Sequence, residues 1–147
     1  MKILPFPSLV CPLDGLPLQR KGPSWHCASG HCFDVASQGY VNLLPVQNKR
    51  SRDPGDSKEM VAARRRFLDA GFYQPIAGWV ARLVQAGAVP GKTFSCLDAG
   101  CGEGYYLREI SSALPEKQTL DLIGLDISKW AVLSAAKRDK GPTWVVG

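Results

Sequence analysis

The sequence predicts an α/β chain in two parts, a small ribbon-like module and then the opening strands of a doubly wound parallel sheet. Three observations carry this. Residues 94–106, FSCLDAGCGEGYY, run from an apolar strand into an acid and three alternating glycines, then into a helical pattern. A second apolar run, DLIGLDIS at 121–128, ends in Asp126 about 20 residues after the last of those glycines, the spacing of a second strand and its terminal acid. The first 40 residues have another texture: Pro5, Pro7, Pro12, Pro17 and Pro23 alternate with Gly15, Gly22 and Gly30, so strands there are short and divided by turns.

In that first region Cys11, Asp14, Cys27 and His31 follow the spacing C-x2-D-x12-C-x3-H. A tetrahedral metal needs two knuckles, each offering two ligands a few residues apart and joined by a hairpin. Leu16–Gln19 and Ser24–Cys27 suit the hairpin arms, with Lys21, Gly22 and Pro23 as its turn. Asp14 is a hard oxygen ligand among softer ones and weakens such a site, and Cys32 beside His31 is a substitute thiolate. Two readings stand: a bound zinc, or a module without metal held by Trp25, Phe33 and the adjoining domain. Too few apolar residues lie here for a free-standing core, so loss of metal should be felt.

Phe33, Val35, Tyr40, Val41, Leu43 and Leu44 are placed to pack between the module and the second domain, and Pro45 ends that run. Residues 47–57 are polar and contain Pro54-Gly55, a linker. The expected division is 1–44 module, 45–57 basic linker, 58–147 start of the second domain. Lys49, Arg50 and Arg52 in the linker, with Lys58, Arg64, Arg65 and Arg66 beyond, make a local basic cluster. It suits contacts to a nucleic-acid backbone, and equally a solvated face of linker and helix.

Asp56 or Ser57 should cap a helix to about Asp69, with Met60, Val61, Ala63, Phe67 and Leu68 inward. Gly71 ends it, and Pro75 opens a second helix whose stripe is Ile76, Val80, Leu83 and Val84. Tyr73, at the junction, is placed either to close over a ligand or to pack between the helices.

At the centre, Gly100, Gly102 and Gly104 let the backbone turn and approach a ligand with no Cβ in the way. The helix predicted from Tyr105 to about Leu114 offers free N–H groups at its start. Asp126 is placed to accept from ribose hydroxyls of an adenosine ligand. A pyrophosphate would be repelled by Glu103, whereas a sulfonium cation with a zwitterionic tail tolerates it. After Asp126 comes a helix capped by Ser128, with Lys137 and Arg138 in its last turn, and then a third strand, TWVV. A sheet of three strands leaves an apolar edge and a half-built substrate side, so the expectation is part of a longer protein, with a natural minimal domain as the alternative.

Composition bounds the rest. The chain has 147 residues, net charge +5 and 45% hydrophobic content, a globular balance with room for a polyanionic partner. No apolar run reaches the roughly 18 residues of a membrane span. Five cysteines, an odd number, and the lack of a signal-like start point to a reduced, cytoplasmic setting.

The wording D-A-G-C-G-E-G resembles the first motif of doubly wound S-adenosylmethionine-dependent methyltransferases. The stretches CPL…C…H…FD, GYVNLLPVQNKRSRDPGDSKEM, ARRRFLDAGFYQP and LDAGCGEGYY together resemble the bacterial 23S rRNA (guanine-N1)-methyltransferase family, from Cys11 to Gly147. Some members of that family confer resistance to macrolide antibiotics such as tylosin. The resemblance implies a zinc-ribbon module that takes part in recognising an rRNA hairpin, its ligands three cysteines and a histidine. Cys11, Cys27 and His31 match, and Asp14 departs. It implies cofactor contacts at Tyr73, Gly102 and Glu103, and by fold at Asp98, Gly100, Gly104 and Asp126. It implies RNA contacts in the basic cluster, with Lys49, Arg50, Arg52, Arg64 and Arg65 the candidates, and a homodimer whose two modules flank the RNA.

The implied reaction is methyl transfer to N1 of a guanine in a hairpin loop. No general base is evident, Asp98 being engaged with the loop and His26 and His31 lying in the module, so the catalytic residues stay unassigned and the isolated chain is expected to be inactive. A non-catalytic remnant that binds RNA or cofactor is the alternative, and methylation of a small molecule fits the module and basic linker less well.

Overall fold

The computed structural model describes residues 2–4, 8–116 and 118–147, and of residues 2–4 only the backbone. The expected Pro5 and Pro7 turns lie outside the described residues.

The larger sheet is parallel throughout. Its middle strand is β7 (Thr119–Asp126). Strand β6 (Phe94–Ala99) lies along residues 120–125 of β7. That occupies one edge of β7, so β1 (Lys2–Leu4) and β8 (Thr143–Val146) share the other, end to end. Strand β5 (Tyr40–Asn42) then adds to β8. Connections from β6 to β7 and from β7 to β8 each pass through one helix, α3 (Tyr105–Ala113) and α4 (Lys129–Arg138), the unit that parallel strands require. The smaller sheet is an antiparallel meander of β2 (Gln19–Lys21), β3 (Ser24–His26) and β4 (Cys32–Asp34).

Alternation along the strands divides the core into two faces. Leu120, Leu122, Trp144, Val146 and Tyr40 point to the helix side, where they meet Leu107 and Ile110 of α3 and Val132, Ala135 and Ala136 of α4. Val41, Ile123 and Val145 point the other way and bury Leu9, Leu18 and Trp25 of the module. The ribbon therefore has no core of its own. It uses one face of the parallel sheet as its hydrophobic floor.

Two helices precede β6. The first, α1 (Lys58–Asp69), starts at Ser57, whose hydroxyl accepts from Met60 N–H at 3.2 Å. The second, α2 (Gln74–Gly87), has Pro75 in its first turn and packs on α3. Their expected inward stripes are corrected in part: Val80 and Val84 do pack against the core. In α1 only Val61 is buried, with Met60 and Phe67 exposed, and in α2 the small residues Ala77 and Ala81 are buried while Ile76, Trp79 and Leu83 face out. Small side chains let α2 approach α3 closely, which turns the bulky ones to the far side. Strand β6 is also less buried than a central strand: Leu97, on the side opposite the helices, is 56% exposed. Among the described residues β6 pairs only with β7.

Trp144 anchors the centre. It is 1% exposed, its indole N–H donates to the Asp139 carbonyl at 2.8 Å, and its ring lies where Cβ atoms on Gly104 and Gly124 would be. No described helix is long and apolar enough to cross a membrane.

Candidate cofactor pocket and metal centre

The turn after β6 is made possible by its glycines. Gly100, Gly102 and Gly104 all have positive φ, at +80°, +56° and +83°, a region side chains avoid. The space where a Cβ would stand at Gly100 and Gly102 is open, whereas at Gly104 it is filled by Trp144 and Arg108. The first two glycines thus leave room for a ligand, and the third leaves room for the core.

The turn is pinned from three sides. Gly100 and Cys101 N–H groups donate to the Leu125 carbonyl at 2.8 and 3.0 Å. Gly102 N–H donates to Asp126 Oδ2 at 2.9 Å, and Ser128 N–H to Asp126 Oδ1 at 2.8 Å. Asp126 therefore ties the glycine turn to the β7–α4 turn, and each of its oxygens keeps a second lone pair for a hydroxyl. Beneath the turn, Asp98 Oδ2 is buried with no hydrogen-bond partner. Burial and then the neighbouring Asp126 charge push the Asp98 carboxyl above the usual carboxylate range. A buried acid oxygen with nothing to accept from invites a cation or a donor.

Glu103 has another environment. Its side chain is fully buried, Oε1 accepts from Arg108 at 2.6 Å, and Oε2 accepts from Arg138 at 2.8 Å. Arg138 in turn pairs with Asp69 at the end of α1, 3.1 Å away. The network ties turn, α3, α4 and α1 together. Both Glu103 oxygens are thus taken by arginines, although the residue borders the cavity beside the turn.

A cavity of about 190 Å³ opens between this turn and α1, lined by Gly100, Gly102, Glu103, Tyr105 and Tyr106 on one side and by Arg64, Phe67, Leu68 and Tyr73 on the other. Tyr73 packs edge-on against Phe67, ring centres 5.4 Å apart, and also borders this cavity. Asp98 and Asp126 flank the turn from the sheet side. The residues present suit S-adenosylmethionine: an orphaned acid oxygen for the charged methionine half, an open glycine cradle, and a paired carboxylate with spare acceptors for the ribose.

In the module, one ligand atom each from Cys11, Asp14, Cys27 and His31 lie within 4.8 Å of one another. His31 Nδ1 is 3.4 Å from Cys11 Sγ, 3.3 Å from Cys27 Sγ and 3.1 Å from Asp14 Oδ2, and Cys27 Sγ is 3.5 Å from the same oxygen. Tetrahedral zinc with ordinary Zn–S and Zn–N/O bonds has ligand–ligand edges of about 3.3–3.8 Å. The set fits. Leu16 N–H donates to Asp14 Oδ1 at 3.0 Å, which is the main reason the Asp14 carboxyl is held down to about 2, and leaves Oδ2 aimed at the cluster. Cys32, the expected substitute, is exposed and lies beside His26 Nε2 at 3.7 Å, outside the set.

The five cations singled out for RNA do not converge on one spot. Arg64 borders the cofactor cavity and pairs with Asp56 at 3.4 Å. Arg65 borders a separate groove between α1 and α4, Lys49 a small cavity beside Trp130, and Arg50 and Arg52 lie in the linker's exposed stretch. Sequence reasoning missed Arg108, Arg138 and Asp69 as supports of the turn. Their partners are mostly distant in sequence, and only the basic end of α4 hinted at Arg138.

Fold and site define a class: a zinc-ribbon module on the first part of a doubly wound methyltransferase domain. Comparison with known proteins is specific. A family model described as the N-terminal zinc ribbon of RlmA matches residues 9–52. The chain is 39% identical over 129 residues to a 23S rRNA (guanine(748)-N(1))-methyltransferase of Streptomyces fradiae, covering 88% of this chain and 44% of that protein. It is 37% identical over 148 residues to a protein provisionally named 23S rRNA (guanine-N(1)-)-methyltransferase from Micromonospora griseorubida, covering 90% and 48%. A Bacillus subtilis protein with the same provisional name, YxjB, is 33% identical over 144 residues, covering 96% and 50%. The chain is thus similar to these 23S rRNA (guanine-N1)-methyltransferases, and it spans about half the length of the curated relatives it matches.

Proposed function

We propose that this chain carries the cofactor-binding part of an enzyme that transfers a methyl group from S-adenosylmethionine to N1 of a guanine in a 23S rRNA hairpin loop. The observation that carries the reading is the joining of Asp126 to Gly102 across the open glycine turn, with the unpartnered Asp98 oxygen beneath it. Bound there, S-adenosylmethionine supplies an activated methyl group for displacement by a ring nitrogen. Asp126 accepts from the ribose, Gly100 and Gly102 let the amino-acid half lie on the backbone, and Asp98 faces its charge. Tyr73 and Phe67 wall off water on the α1 side. Glu103 acts at one remove, through the two arginines that fix the turn.

The remaining assignments belong to the same reading. The division at 1–44, 45–57 and 58–147 is kept, with β5 as the strand by which the module joins the parallel sheet. Zinc sits on Cys11, Asp14, Cys27 and His31 and holds the ribbon in shape for the RNA. Lys49, Arg50, Arg52, Arg64 and Arg65 meet RNA phosphates, and two copies flank one hairpin. The group that takes the guanine N1 proton is left unassigned, and the reading has the 147-residue chain by itself binding cofactor without turning over.

A methyl-transfer assay tests this, with labelled S-adenosylmethionine, transcripts of 23S rRNA hairpins, this chain and a version extended to the length of the relatives. Methylated guanine N1 from the extended protein alone is expected. Turnover by the 147-residue chain would overturn its inactivity, and label on another atom or on no RNA would overturn the substrate.

A further inference from the structure

We propose that the groove between α1 and α4 seats an unpaired nucleotide of the RNA, its base against Trp130 and its phosphates on Lys58, Arg65 and Lys137. This rests on the RNA reading and adds to it a site on a different face of α1 from the one that borders the cofactor cavity.

The groove measures about 330 Å³. Val61, Ala62 and Leu133 make its apolar floor, and Trp130 its aromatic wall. Lys58, Arg65 and Lys137 border it, all exposed, and among the described residues no carboxylate does. The acids of α1 and its cap point elsewhere: Asp56 pairs with Arg64, Asp69 pairs with Arg138, and Glu59 does not border the groove. Helix α4 carries no acid at all. An apolar slot with an aromatic wall and an unopposed cationic rim matches a nucleic-acid strand, which offers a flat π-face and a charged backbone together. It matches an acidic peptide less well, because a run of acidic side chains has no flat group to set against the indole.

The Lys58 ammonium already lies 5.9 Å from the centre of the Trp130 ring, so the indole face meets a cation in the free protein. A base exchanging for that flexible side chain gains stacking, and the freed ammonium falls to a phosphate. Lys49 of the linker borders a smaller cavity that Trp130 also borders, which brings the linker's positive charge to the same residue. Arg64 and Arg65, neighbours in sequence, serve the two sides of α1, the cofactor cavity and the groove. The two sites therefore lie on adjoining faces of one helix. The groove takes a nucleotide flanking the target and leads its strand toward the glycine turn.

The test is fluorescence anisotropy on the whole chain with a labelled mixed-sequence single-stranded RNA of about 12 nucleotides and an abasic backbone of the same length. Trp130→Ala is expected to weaken binding of the intact RNA roughly 5- to 100-fold and to leave the abasic strand unaffected, while Trp130→Phe keeps most of the affinity. Lys137→Gln is expected to lower the slope of log affinity against log salt by about 0.7. If Trp130→Ala does not fold, Trp130→Leu, which removes the aromatic face and keeps an apolar side chain, takes its place beside Lys137→Gln. RNA bound equally by parent and variants would overturn this site alone and leave the functional reading standing. No RNA bound by the parent would remove the RNA reading and this site with it. Polyglutamate competing as well as RNA, with no dependence on Trp130, would make the groove a protein-docking surface and overturn the proposal.

Discussion

Glu103 and Arg138, 35 residues apart in sequence, meet at 2.8 Å inside the protein, and the glutamate side chain has no solvent exposure. The contact fixes the glycine turn against α4, and Arg138 also reaches Asp69 on α1. Removing the carboxylate while leaving Arg108 and Arg138 strands two cations in a partly buried site. Glu103→Ala is expected to cost about 3 kcal/mol in urea unfolding, and Arg138→Lys less, because a lysine keeps the charge but loses the fork. Equal stability of Glu103→Ala and parent would show that the network contributes nothing.

Asp98 predicts a pH effect. Its carboxyl is raised above the usual range by burial and then by Asp126, so the folded state holds that proton more tightly than the unfolded chain does. The charged form is therefore a cost present above the folded pKa and relieved as pH falls through it toward the ordinary aspartate value of 3.8. Asp98→Asn removes the cost. It is expected to raise the melting temperature at neutral pH, to remove part of the pH dependence in that acidic window, and to weaken S-adenosylmethionine binding. A variant that melts lower at neutral pH and binds normally would contradict both the burial argument and the site.

The helical periods and the glycine turn are legible in the sequence because they are local. Strand, turn, helix and acid from Phe94 to Asp126 need only spacing and apolar pattern, and Ser57 and Ser128 read correctly as caps. Which element covers which face is not legible. Periodicity puts Ile76, Val80, Leu83 and Val84 on one stripe, but only Val80 and Val84 of these pack on the core, and the residues α2 fully buries are Ala77 and Ala81. The parallel pairing of β5 with β8 joins residues about 104 apart, as from Val41 to Val145, and no local pattern announces it. The same non-locality hides Arg138 behind Glu103, and the module's dependence on Ile123 and Val145 for its core. The metal set, by contrast, is close in sequence, and its four members meet as their spacing implies.

Asp14 gives a prediction on metal. Its Oδ2 lies 3.1 Å from His31 Nδ1 and its Oδ1 accepts from Leu16 N–H, so Oδ2 is the oxygen that would meet a bound zinc. Replacing the aspartate with Cys supplies the softer ligand zinc prefers, and Asp14→Cys is expected to tighten zinc about tenfold or more in chelator competition, whereas Cys27→Ser abolishes the site. Stripping the metal should expose Trp25 to quencher first while the parallel sheet persists. Zinc affinity indifferent to both substitutions would place the metal elsewhere.

Gly124 predicts a packing effect. A Cβ there would collide with the Trp144 ring, which is fixed by its bond to Asp139 and has nowhere to turn. Gly124→Ala is expected to lose about 1–3 kcal/mol, and Gly124→Ala with Trp144→Phe to recover part of it. No loss in the single variant would mean the ring can move.

The turn from Gly100 to Gly104, tied to Asp126, is held here to bind S-adenosylmethionine. Calorimetry of the demethylated product, S-adenosylhomocysteine, with the folded chain and with Asp126→Asn tests this most directly. One site is expected in the parent, and a loss of about tenfold or more in the variant at unchanged fold. Uptake that ignores the Asp126 substitution, or no uptake by a folded parent, would contradict it.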